Sequence, residues 1–172
     1  MAETHSATAA NDVQVSERLQ KIHVSSEYLG RYKSGIRIRD LPTWYLDEPK
    51  ELGGDNDGPT PLETVLSALC GCTAMIVHIL QREMNFRLDG LRCAAEGTHD
   101  VRRVEMKRTG KKYSEVEPIA AHFHSVEMHV FVRTPESDER LHELRTHVAR
   151  LCPVSRLLED ARVPFKVTWE RE

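Results

Sequence analysis

The chain has 172 residues, a formal net charge of −3 and mixed signs throughout, which argues against nucleic acid or an anionic membrane as the main partner. It is long enough for one domain with a real core, read as 21–172. Four cysteines are too few for a disulfide scaffold, so a cytoplasmic setting with reduced thiols is expected.

Residues 1–20 are polar, lack an apolar run and read as a disordered or loosely attached tail, not a secretory signal. From Lys21 to Asp47 the pattern is extended. Ile22 and Val24 alternate with polar residues, as do Ile36 and Ile38, with Gly30 and Gly35 punctuating a hairpin. Trp44, Tyr45 and Leu46 predict a further short strand. Glu48 to Pro59 reads as a loop around Gly-Gly-Asp-Asn-Asp-Gly.

A long apolar helix follows. Thr60 stands at its N-cap, Pro61 at the first helical position and Glu63 three residues after the cap, which makes a capping box. Leu62, Val65, Leu66, Leu69, Thr73, Ile76, Val77 and Leu80 form one stripe; Ala68, Met75 and Ile79 form a second. A helix apolar nearly all round is expected to be buried, and Arg82 and Glu83 end it too soon for a membrane span.

Beyond it, Leu91, Cys93, Ala95 and Gly97 share one face of a strand, and residues 102–117 are charged and partly loop. Val126, Met128, Val130 and Val132 mark another strand. Thr134-Pro135 opens a second helix with inner face Leu141, Leu144, Val148 and Leu151. Pro153 interrupts it, so Cys152 lies at a junction before a shorter helix with Val154, Leu157 and Leu158. Val163 to Trp169 is the last strand. Strands, helix, strands, helices, strand, without an internal repeat, give an α+β fold.

Cys70 and Cys72 lie roughly 200° apart around the helix, so they can neither bond nor share a metal. Cys152, at the start of a proline-initiated helix, meets backbone N–H groups that favour a thiolate. Packing as a small hydrophobe is the alternative for each cysteine. A zinc site among His122, His124, His142 and His147 lacks the usual ligand spacing, and no metal is expected.

Two motifs in order, Gly58-Pro-Thr-Pro-Leu-Glu63 running into Ala68-Leu-Cys-Gly-Cys-Thr-Ala-Met75, then Leu151-Cys-Pro-Val-Ser155, resemble the OsmC/Ohr family of osmotically inducible and organic-hydroperoxide-resistance proteins. Asp47-Glu-Pro-Lys-Glu-Leu-Gly-Gly54 and the layout from Lys21 to Glu170 share the resemblance. It implies an OsmC-like fold: an N-terminal β-hairpin or sheet, a long buried central helix, a second sheet with C-terminal helices, and an intertwined homodimer. It also implies a thiol peroxidase that uses no bound cofactor. Cys72 would be the peroxidatic thiolate, Cys152 the thiol that closes a disulfide with it, and an external dithiol, lipoyl groups in characterised relatives, the reductant. Relatives supply an activating arginine from the hairpin and a glutamate near the helix start. Arg31 is the favoured counterpart here, with Lys33, Arg37 and Arg39 as competitors. The activated Cys72 should titrate well below about 8.5, the unperturbed value.

This sequence departs from the organic-hydroperoxide-specific branch by having Leu62 where that glutamate stands. Glu63 is the remaining catalytic candidate, although it is half a turn out of phase with Cys72 and serves the cap. The Gly-Gly-x-x-x-Gly-Pro-x-Pro form and Gly-Cys-Thr-Ala resemble a less-characterised OsmC-like branch more closely. The alternative function is a slow or non-enzymatic redox-sensing or hydrophobic-ligand-binding protein on the same fold.

Overall fold

The computed structural model describes residues 19–102, 109–115 and 120–172. The tail expected at 1–20 therefore lies, apart from exposed Leu19 and Gln20, outside the described residues, as does most of the charged stretch after Arg102. Among the described residues are two three-stranded sheets, three α-helices and two short 3-10 helices.

The first sheet is a meander of β1 (Ser25–Gly30), β2 (Lys33–Arg37) and β3 (Trp44–Leu46), antiparallel throughout. Gly30 and Arg31 turn the β1–β2 hairpin with positive φ, 108° and 50°. Gly35 does not punctuate it. It sits in mid-β2 opposite Glu27 and Tyr45, where a Cβ would come within 3.3 Å of the Leu29 side chain. Close packing, not a turn, accounts for that glycine. Ile22 and Val24 precede the paired region and are exposed, so the alternation there stabilises no strand.

The loop from Asp47 to Thr60 is organised by one carboxylate. Asp47 is 1% exposed and accepts backbone N–H bonds from Glu48 (2.8 Å), Asp55 (2.9 Å) and Asp57 (3.2 Å). Burial pushes its pKa up, but those three N–H groups and nearby Lys33 outweigh it and hold the carboxyl below its ordinary value. The loop is tied back to the hairpin by Arg31–Asp55 (3.0 Å) and Lys33–Asp57 ion pairs. The Asp47 N–H donates to the Pro59 carbonyl at 3.2 Å, which delivers the chain to the helix start.

Helix α1 (Pro61–Glu83) begins with the expected capping box. The Thr60 N–H donates to the Glu63 carboxylate at 2.7 Å, and the Glu63 N–H donates to the Thr60 hydroxyl at 3.3 Å. Its burial differs from expectation. Leu69, Thr73, Val77 and Leu80 are buried, but the second stripe is open: Met75 is 69% exposed and Ile79 53%. An all-round apolar helix is covered on one side only within the protomer. At 23 residues it is also long and apolar enough to cross a membrane, so length does not exclude a span. Its packing against the second sheet is what marks it as a domain helix.

That sheet has the order β4 (Gly90–Thr98), β5 (Ser125–Arg133), β6 (Phe165–Arg171). β4 and β5 are antiparallel, with Leu91 opposite Val132 and Ala95 opposite Met128. β6 runs parallel to β5, so a helical crossover must join them. That crossover is α2 (Asp138–Leu151) followed directly by α3 (Pro153–Asp160). α2 starts three residues later than Pro135 suggests, because the Ser137 hydroxyl accepts the Arg140 N–H and takes the N-cap. Alternation on β5 puts Val126, Met128, Val130 and Val132 into one core with Leu69, Val77, Leu80, Leu141, Leu144, Val148 and Leu158. Leu151, expected on the inner face of α2, is exposed.

Candidate active site

Cys152 ends α2 and caps α3. Its N–H donates to the Val148 carbonyl at 3.0 Å, while its own carbonyl accepts the Arg156 N–H at 3.1 Å. The proline at 153 forces this break, because the residue before a proline leaves helical geometry. Cys152 adopts φ −76° and ψ 107° and is fully buried. The break points its sulfur at α1, where Cys72 Sγ lies 3.2 Å away. Two thiols eighty residues apart in sequence are thus in contact, each held on a helix that packs against the other.

Three neighbours complete the site. Thr73 is buried, and its Oγ1 lies 3.8 Å from both Cys152 Sγ and Met128 Sδ. Ser155, also buried, occupies the third position of α3. The Val154 N–H, one position earlier, faces Cys72. Behind Thr73 and Ser155 opens a cavity of about 100 Å³ lined by Met128, Val148, Phe165 and Trp169, with Arg145 and Glu159 also on its wall.

The electrostatics of the two sulfurs differ. Burial pushes the Cys72 thiol up; the Val154 N–H opposes this, and the adjacent Cys152 adds to the rise. Cys152 is pushed up by burial too, but the Ser155 hydroxyl and N–H, Cys72 and Thr73 together bring it below the ordinary thiol value. These surroundings push Cys72 up, the opposite direction to the one the resemblance implies. Among the described residues, the contributions to that sulfur come from burial, the Val154 N–H and Cys152.

Arg31 and Glu63 do not join the thiols in this way. The Arg31 guanidinium is bound to Asp55, and Glu63 is engaged in the capping box. Glu63 instead lines an open groove of about 540 Å³ with Leu66, Ser67, Cys70, Cys93 and Ala95, on another side of α1. There burial raises Cys70, and burial together with Cys70 pushes Cys93 up to about 11, so both behave as packed, protonated thiols. Thr73, Val154 and Ser155 are read from the sequence as packing or motif residues, with no role at the thiols. The signal existed: Cys-Pro-x-Ser places a cap residue and its third helical position three apart, the spacing at which the two meet. Carboxylates of Asp47, Asp55 and Asp57 also converge, but backbone N–H groups, Arg31 and Lys33 already engage them.

Known proteins share this architecture. An OsmC-like protein from Mycoplasma pneumoniae superposes with a TM-score of 0.71 at 16% identity, covering 88% of this chain and 97% of its own. An organic hydroperoxide resistance protein from Elizabethkingia anophelis gives 0.63 at 16% identity, over 90% and 98%. An organic hydroperoxide resistance protein OsmC from Legionella pneumophila gives 0.59 at 13%, over 90% and 98%. No curated protein matches the chain. The family model described as OsmC-like protein matches residues 54–168, a span that holds both facing thiols. The chain belongs to the OsmC-like protein family.

Proposed function

We propose that the protein is a cysteine-based peroxidase that reduces organic hydroperoxides or hydrogen peroxide. The observation that carries this reading is the 3.2 Å separation of the Cys72 and Cys152 sulfurs. Cys72, half-buried beside solvent-exposed positions of α1, attacks the peroxide and becomes a sulfenic acid; Cys152, fully buried and already in contact, condenses with it. An external dithiol, of the lipoyl type or similar, then reopens the disulfide. Structural neighbours named for organic hydroperoxide resistance support the reaction class. Arg31 is proposed as a cation for the site, and Glu63 as the group that fixes the start of the helix carrying Cys72.

The test is consumption of cumene hydroperoxide with a dithiol reductant. Wild type is expected to turn over, and Cys72→Ser to fall to the buffer rate. Equal, slow consumption by both would overturn the reading. A slow redox sensor that also binds an apolar ligand is the second reading, favoured by the raised pKa of Cys72. It predicts disulfide formation without sustained turnover.

The same reading includes a homodimer. Met75 and Ile79 give α1 an uncovered apolar stripe, and a second copy burying it would also enclose the Cys72 side of the helix. Met75→Glu with Ile79→Glu is expected to convert a dimer into a folded monomer in sedimentation experiments. A wild type that sediments as a monomer would remove the dimer.

A further inference from the structure

Two thiols in contact, one half-buried and one fully enclosed, form a two-pronged ligand set as well as a redox pair. We propose that Cys72 and Cys152 together are a capture site for organic arsenic(III) compounds with one carbon substituent, bound through both sulfurs. The inference goes beyond the peroxidase reading, because capture needs the thiol pair but no turnover.

The number and spacing of donors select the ligand. The two sulfurs stand 3.2 Å apart. Among the described residues, the one place where three or more His, Cys, Asp or Glu ligand atoms converge is Asp47, Asp55 and Asp57, so the thiol pair has no third group of that kind beside it. Its next neighbours are the Thr73 hydroxyl, 3.8 Å from Cys152 Sγ, and Met128 Sδ, 3.8 Å from that hydroxyl. Both are uncharged and weak donors. A structural zinc ion takes four ligands, and tetrahedral thiolates at about 2.3 Å from it sit about 3.8 Å from each other. The pair is closer than that and supplies two donors of the four. Arsenic(III) is thiophilic and pyramidal, with bond angles near a right angle. With bonds of about that same length, its two sulfurs sit about 3.3 Å apart. Its own carbon substituent fills the third position, so the protein need supply only two sulfurs.

The surroundings fit this order of attachment. Cys152 is fully buried in the break between α2 and α3, whereas Cys72 is half-buried on α1. Arsenic meets Cys72 first, and Cys152 closes the second bond from inside. Gly71, next to Cys72, opens on free space, and Met75 further along α1 is 69% exposed. The substituent has room there against an apolar side chain. Cys70 points roughly 200° away around α1 and lines the groove with Cys93, so it cannot join. Each sulfur gives up its proton, each arsenic–hydroxyl bond breaks, and two waters leave as two arsenic–sulfur bonds form. Arsenic stays trivalent and neither sulfur is oxidised. While the arsenical is bound, Cys72 cannot attack a peroxide. Once the disulfide has closed, no thiol remains to bind arsenic.

The experiment adds phenylarsine oxide, which hydrates to the dihydroxy form, to the reduced full chain. One equivalent is expected to bind per chain, to shield Cys72 and Cys152 together from iodoacetamide, and to be released by a dithiol but not by a monothiol. Chains whose pair has first been closed as a disulfide are expected to bind none. Cys72→Ser and Cys152→Ser should each weaken binding at least about a hundredfold, the effect of losing a linked second bond. Cys70→Ser with Cys93→Ser should leave it at the wild-type value. Wild-type affinity in either single variant, shielding of Cys70 or Cys93 in place of the pair, or equal shielding of the pair by zinc alone would overturn the proposal. The shielding is mapped on wild type, so it decides the matter even where a variant fails to fold. Uptake without any hydroperoxide consumption would remove the peroxidase reading and leave the capture site. Turnover without uptake would do the reverse.

Discussion

One equivalent of hydroperoxide is expected to convert the reduced protein into a form bridged between Cys72 and Cys152 and more stable by about 4 kcal/mol. The figure follows from the eighty-residue separation of the thiols, because cross-linking a loop of that length removes about this much chain entropy from the unfolded state. Little native strain opposes it, since the sulfurs are already 3.2 Å apart and both lie on packed helices. For a domain of this size the melting temperature should rise by about 10 °C on oxidation. Non-reducing peptide mapping together with thermal melts of both forms checks this. Bridges to Cys70 or Cys93, or a melting point unmoved by oxidation, would contradict the assignment. Cys72→Ser and Cys152→Ser should each abolish the shift.

Gly58→Ala is expected to cost about 3 kcal/mol, at the upper end for inserting one carbon into a packed site. A Cβ at this position would lie 2.0 Å from the Tyr45 carbonyl oxygen and 2.6 Å from its carbon. Both contacts are with backbone, so no side chain can swing aside. The loop must move, and with it the Asp47–Pro59 bond and the cap that sets the start of α1. Gly54 is in the same position against the Glu48 carbonyl, at 1.9 Å. Equilibrium urea unfolding of Gly58→Ala measures the loss; a midpoint unchanged from wild type would show that the loop accommodates the methyl group.

The parts legible in the sequence were those written as local pattern. The capping box at Thr60 and Glu63, the alternation of Val126 to Val132 and the break at Cys152-Pro153 each act over a few residues, and each is present as expected. The α+β arrangement followed from them, although the parallel pairing of β6 with β5 did not, because register between distant strands has no local signature. Periodicity placed the inner stripe of α1 but could not say what covers the outer one. Cys72 and Cys152 came together only through the family resemblance. The contact is tertiary, and local electrostatics alone points to Cys152. The structure retains that preference and adds its source in Ser155 and Thr73. Asp47 was missed because one carboxylate gathering three N–H groups looks like any other acid in a loop.

The distance along the chain between the paired thiols also sets a schedule for their manufacture. Cys72 leaves the ribosome on a helix whose sulfur partner has not been made. At about 5–20 residues per second, the eighty residues that separate it from Cys152 take roughly 4 to 16 s to synthesise. The crossover through α2 must then close before β6 can pair with β5. During that interval Cys72 lacks the Cys152 thiol that lies against it in the finished fold. An oxidant met then would leave a sulfenic acid that no neighbour can resolve, and further oxidation of it is irreversible. On the proposed peroxidase reading, newly made chains are thus the ones most exposed to irreversible oxidation of Cys72, whereas finished ones hold Cys152 against it.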